Sequence, residues 1–153
     1  MQAIKVAIID DHEVVINGLK AMLSNHVELN IVFTTTQADV LMTYLKTYGA
    51  DVVLMDIQMP DISGIDLCKM IRREYEDVKV IAFSSFDDTH YIKQALRNGA
   101  SGYVLKNADQ QTIKTAIQTV VEGDEYIDES VKKLLIHESI TGQRRSIYEI
   151  PLT

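Results

Sequence analysis

At 153 residues the chain is long enough for one well-formed core and short for two, and its 46% hydrophobic and 24% charged content suits a globular domain rather than a disordered segment. The net charge of −7, with only the isolated pairs Arg72-Arg73 and Arg144-Arg145 as basic clusters, argues against a nucleic-acid surface on this chain. A single cysteine, Cys68, excludes an intrachain disulfide and a cysteine-rich zinc site.

No apolar run approaches the ~20 residues that span a bilayer, and the N-terminus lacks a signal-peptide pattern, so no membrane partner is expected and the cytoplasm is the expected compartment. Lys5 to Ile9 is a β-branched run that stops at Asp10-Asp11, and Val14, Val15, Gly18, Leu19, Met22 and Leu23 follow at helical spacing. Leu29 to Phe33 reads as a second strand. The helix after it carries Val40, Leu41, Leu45 and Tyr48 and ends at Gly49. Val52 to Met55 is a short apolar run ending at Asp56, as expected of a strand covered on both faces in a parallel sheet.

Beyond Pro60, Ser63 and Asp66 resemble a capping box for a helix bearing Ile65, Leu67, Cys68, Met70 and Ile71. Val78 to Phe83 is a fourth strand ending in Ser84-Ser85. Asp87 or Asp88 caps a helix closed by Asn98-Gly99. Gly102 to Leu105 is a fifth strand ending at Lys106, and Asp109 caps a fifth helix with Ile113, Ala116, Ile117, Val120 and Val121. These five β-α units predict a doubly wound five-stranded parallel sheet with helices on both faces. Residues 1–124 form that domain; in 125–153 a short helix over Ser130 to His137 precedes a polar stretch, Ser139 to Glu149, read as a linker.

Four strands therefore end in chemistry: Asp10-Asp11, Asp56, Ser84 and Lys106. In a parallel sheet these endings share one edge, which is where open α/β sheets bind ligands. Three clustered carboxylates need positive charge. Lys106 supplies some, and magnesium suits the remainder because it takes oxygen ligands and leaves positions open for phosphate oxygens. The chemistry that fits is phosphoryl transfer to a carboxylate, with the protein positioning the groups and neutralising charge.

Together, I-I-D10-D11-H, L-M-D56-I-Q-M-P, A-F-S84-S and G-Y103-V-L-K106 resemble the receiver domain of bacterial two-component response regulators over about residues 3 to 123. The H12-E-V-V-I-N-G-L and G-A-S-G-Y-V-L-K-N-A-D runs resemble its NarL/FixJ (LuxR-type) branch. The resemblance implies a flavodoxin-like (βα)5 receiver fold, with Asp56 as phosphoacceptor, Asp11 as a direct Mg2+ ligand, Asp10 as a ligand through water, and the backbone carbonyl of Gln58 in the metal shell. It implies that Ser84 and Lys106 contact the phosphoryl group and that Tyr103 is a switch aromatic turning inward. Its partners would be a sensor histidine kinase as donor and a second copy on phosphorylation. DNA would be reached only through a C-terminal helix-turn-helix output domain, which Pro151-Leu152-Thr153 resembles at its start.

Two positions depart from the family pattern. Asn107 follows Lys106 where many receivers have proline, and Phe86 is a bulky neighbour of the cleft expected to limit water access and slow phosphate loss. Singly, each site residue has a plainer reading: Asp10 or Asp11 as a helix cap, Asp56 or Ser84 as a turn residue, Lys106 as a solvated lysine, Tyr103 as a packed strand residue. Cys68 reads as core, and the four histidines are scattered with no metal pattern. The expected role is that of a phosphoacceptor rather than an enzyme. One alternative is a stand-alone phosphorelay module without DNA output. The other is an aspartate-nucleophile phosphohydrolase, disfavoured because Gln58 stands where that chemistry wants a second carboxylate.

Overall fold

The computed structural model describes the backbone of residues 2–85 and 87–148 and the side chains of 2–85 and 87–140. Phe86, expected to limit water access, and Pro151-Leu152-Thr153, expected to open an output domain, lie outside the described residues.

The strands are β1 (Ile4–Ile9), β2 (Leu29–Thr35), β3 (Val52–Met55), β4 (Lys79–Ser84), β5 (Gly102–Leu105) and β6 (Tyr126–Ile127); the helices are α1 (Glu13–Leu23), α2 (Ala38–Thr47), α3 (Gly64–Glu74), α4 (Thr89–Arg97), α5 (Gln110–Val121) and α6 (Glu129–Tyr148). The strands form one sheet in the order β2-β1-β3-β4-β5-β6, every neighbouring pair parallel. The expected five strands are thus joined by a sixth, two residues long and too short to show a pattern.

Two apolar layers sandwich the sheet. Ile16, Leu19 and Leu23 of α1 and Ile113, Ala116, Ile117 and Val120 of α5 cover one face. The other is covered by α2 (Leu41, Leu45), α3 (Leu67, Cys68, Ile71), α4 (Ile92, Ala95) and the start of α6 (Val131). Val52 to Met55 are buried throughout, alternating between the two layers, as a strand covered on both faces requires.

The amphipathic faces differ in detail from the expected ones. In α1 the buried seam runs Ile16-Leu19-Leu23, whereas Val14 is 83% exposed because it projects from the opposite side of the helix. Met70, Val40 and Tyr48 are likewise exposed. The caps follow the sequence closely. Ser63 accepts from the Ile65 amide, Asp88 from His90 and Asp109 from Thr112. Gly49 ends α2 with φ of 74°, a left-handed turn that most side chains resist.

The C-terminal segment corrects the expectation most. The short helix over 130–137 is a helix of 20 residues that includes 139–148 of the stretch read as linker. Its first turn is locked down: Val131 is 0% exposed, and the Asp128 amide donates to the Tyr103 carbonyl at 3.2 Å. Among the described residues no peptide bond is cis, so Lys106-Asn107 is trans.

Candidate functional site

Strand order decides what meets at the sheet's carboxyl edge. From β1 the chain passes to β2 on one side, and β3 lies on the other, so the topology switches direction between β1 and β3. Ile9 is the register partner of Met55, and the Asp56 amide donates to the Ile9 carbonyl at 3.0 Å. Asp10 and Asp56 therefore leave the sheet side by side. On the far side, Lys106 leaves β5 with its amide bonded to the Ser84 carbonyl at 2.9 Å.

Lys106 reaches across β4 into the acidic pair. Its Nζ lies 2.8 Å from Asp10 Oδ2 and 3.5 Å from Asp56 Oδ1. Asp10 is 1% and Asp56 4% exposed, so the ion pair is held away from bulk solvent. The Gln58 amide donates to Asp56 Oδ1 at 3.2 Å, which orients the carboxylate along its own turn. Close approach of α3 fixes that turn from below: the Gly64 amide donates to the Ile57 carbonyl at 2.7 Å, and a Cβ on Gly64 would collide with the Asp56 carbonyl oxygen.

Positive charge falls short at this site. Burial, then the Asp10 charge, push the Asp56 carboxyl up from 3.8 to about 6, against the opposing pull of Lys106 and the Gln58 amide. Asp10 Oδ2 and Asp11 Oδ1 are both buried and accept no well-directed hydrogen bond, although a cationic or ring nitrogen lies within 3 Å of each. These contacts leave lone pairs on both oxygens available. Ligand atoms of Asp10, Asp11, His12 and Asp56 all lie within 4.8 Å of one another. This acidic cluster has the donors and the charge deficit for a hard divalent cation.

Ser84 is 1% and Tyr103 0% exposed, and their side chains share a hydrogen bond. Burial raises the Tyr103 phenol, partly offset by that bond. The structure thus brings together Asp10, Asp11, Asp56, Lys106 and the Gln58 backbone, with Tyr103 turned inward onto Ser84. His12 was missed. Its amide donates to Asp10 Oδ1 at 2.9 Å, and its ring Nδ1 lies 3.2 Å from Asp10 Oδ1 and 2.9 Å from Asp11 Oδ1. Its adjacency to the acidic pair is the one signal in the sequence, and the other three histidines lie far from it along the chain.

The response regulator receiver domain matches residues 6–118, most of the sheet and every strand end just described. The chain belongs to that family. Among curated proteins, this receiver is 36% identical over 135 residues to the transcriptional regulatory protein DegU of Brevibacillus brevis, covering 88% of the chain and 57% of the relative. It is 35% identical over 144 residues to the oxygen regulatory protein NreC of Staphylococcus aureus, covering 92% and 65%. The receiver thus spans about three-fifths of the length of these relatives, and they support its place in the NarL/FixJ branch. Among solved structures it resembles the isolated receiver domain of RcsB from Salmonella enterica serovar Typhimurium, in the presence of the phosphomimetic BeF3-. The TM-score is 0.80 at 26% identity, over 87% of this chain and 99% of that one. No helix among the described residues is long and apolar enough to cross a membrane.

Proposed function

We propose that this receiver accepts a phosphoryl group on Asp56 from a phosphohistidine of a partner sensor kinase, with Mg2+ as its cofactor. The observation that carries this reading is the reach of Lys106 across β4 to both Asp10 and Asp56. A lone strand-end carboxylate needs no such arrangement.

In the reaction an ionised Asp56 oxygen attacks phosphorus, forming an acyl phosphate as the donor's P–N bond breaks, and the imidazole leaves carrying the electron pair. Burial and the Asp10 charge push the Asp56 carboxyl up to about 6 and no further, so at neutral pH its ionised form predominates. Asp10, Asp11, Asp56 and the Gln58 carbonyl would hold the magnesium ion, which supplies neutralisation of charge on the transferred oxygens. Lys106 does the same from the β5 side. The Ser84 hydroxyl, buried beside the acceptor's sheet edge, donates to the product phosphate.

Tyr103 is the switch. Its inward position on Ser84 is the one a phosphoryl group held by Ser84 would favour, so modification shifts a two-state balance toward it. Residues 1–124 carry this receiver function, and 125–153 lead toward an output domain. The greater length of the curated relatives, one of them named a transcriptional regulatory protein, supports a transcriptional output over a stand-alone phosphorelay module; that output is proposed to be a helix-turn-helix domain engaged through dimerisation. The cytoplasm, where such kinases present their phosphohistidine, is the proposed compartment.

Beryllofluoride with Mg2+ tests the pocket without a donor. The unfolding midpoint of the wild type should rise when both are added, and Asp56→Asn should show no such rise. An equal rise in the variant would remove Asp56 from the acceptor role.

A further inference from the structure

Asp11 is followed at once by His12, whose amide is anchored on Asp10 Oδ1 at 2.9 Å. The anchor brings the ring back over the acidic pair, with Nδ1 3.2 Å from Asp10 Oδ1 and 2.9 Å from Asp11 Oδ1. Two donors at neighbouring corners around a metal with bonds of about 2.1 Å lie about 3 Å apart. The nitrogen and the two carboxylate oxygens already have that spacing. Asp10 is 1% exposed, and its Oδ2 has no directed hydrogen bond and meets only the Lys106 ammonium, at 2.8 Å, so one lysine faces the three carboxylates of Asp10, Asp11 and Asp56.

Oxygen donors alone make a magnesium site. An imidazole nitrogen beside them changes which metals the site prefers, because magnesium gains little from nitrogen whereas cobalt, nickel and zinc gain much. The His12 side chain is 65% exposed, so its ring has room to turn and to carry its proton on Nε2 while Nδ1 binds.

We propose that His12 is a nitrogen ligand that gives this site a second metal preference, for borderline divalent ions such as Co2+, Ni2+ and Zn2+. The proposal rests on the reading of the acidic cluster as a metal site, but not on phosphorylation of Asp56. Beside Asp10 and Asp11, His12 supplies the donor that magnesium does not use. The same site then answers to two classes of ion, with His12 engaged by only one of them.

Titration of the full chain with Co2+, followed by its visible d–d absorption, and with Mg2+, followed by calorimetry, tests this. His12→Ala keeps the backbone amide on Asp10, so the carboxylates stay oriented. Co2+ affinity should fall by roughly tenfold or more, at least the loss seen when a group that only orients a metal ligand is removed. The absorption envelope should also change, while Mg2+ affinity stays within twofold of wild type. Asp11→Ala should weaken both metals. Unchanged Co2+ affinity and spectrum in His12→Ala would overturn the proposal, as would parallel loss of Co2+ and Mg2+ in that variant. Co2+ binding that survives Asp11→Ala would place the metal elsewhere and overturn it too. A failure of Asp56 to accept phosphate would leave these titrations readable.

Discussion

Asp56 shows how a strand end acquires a shifted carboxyl group. Burial and the neighbouring Asp10 charge both disfavour its ionised form, and together they outweigh Lys106 and the Gln58 amide. The consequence for stability has a definite sign. Between about 4 and about 6 the metal-free folded chain binds a proton on Asp56 that the unfolded chain releases, so stability falls as pH rises through that window. Asp56→Asn removes this cost. Its unfolding free energy in chelator should pull ahead of wild type between about pH 4 and 6, by at most about 3 kcal/mol, and hold that lead above. Urea unfolding at several pH values measures the gap, and a gap that does not change with pH would contradict this electrostatic account.

At the scale of elements, α6 departs most from what the sequence announced. Its polar residues after His137 carry no apolar stripe, so periodicity had nothing to detect there. What fixes the helix lies at its start. β6 pairs with β5 at Gly102 and Tyr103, the Asp128 amide bonds to Tyr103, and Val131 enters the core beside α4. Further along, Lys93 and Glu138 meet at 3.1 Å but both side chains are more than 40% exposed, so solvent screens the pair. Val131→Ala should therefore cost roughly 1.5 kcal/mol or more, and Lys93→Ala less than about 1 kcal/mol. Equilibrium denaturation of the two variants checks the order; a larger loss for Lys93→Ala would mean that α6 is held by charge rather than by its buried first turn.

Across the whole molecule, the sequence was most legible where local chemistry is strongest. Strand cores such as Val52 to Met55, caps such as Ser63, Asp88 and Asp109, and the αL stop at Gly49 all follow from short-range rules. So did the meeting of Asp10, Asp56 and Lys106, because a parallel sheet puts all strand ends on one edge. Tertiary facts were not legible. Which side of α1 is buried depends on the twist of the sheet beneath it, and β6 exists only because β5 offers an edge to pair with. For His12, adjacency to Asp10-Asp11 is the one sequence signal, and it does not say that the ring folds back onto both carboxylates.

These features meet at Asp56, the proposed phosphoacceptor. The most direct measurement is intact mass after incubation with acetyl phosphate and Mg2+, on wild type and Asp56→Asn. The account predicts one phosphate adduct on the wild type, lost when a chelator removes the metal, and none on the variant. An adduct of equal yield on Asp56→Asn would contradict it.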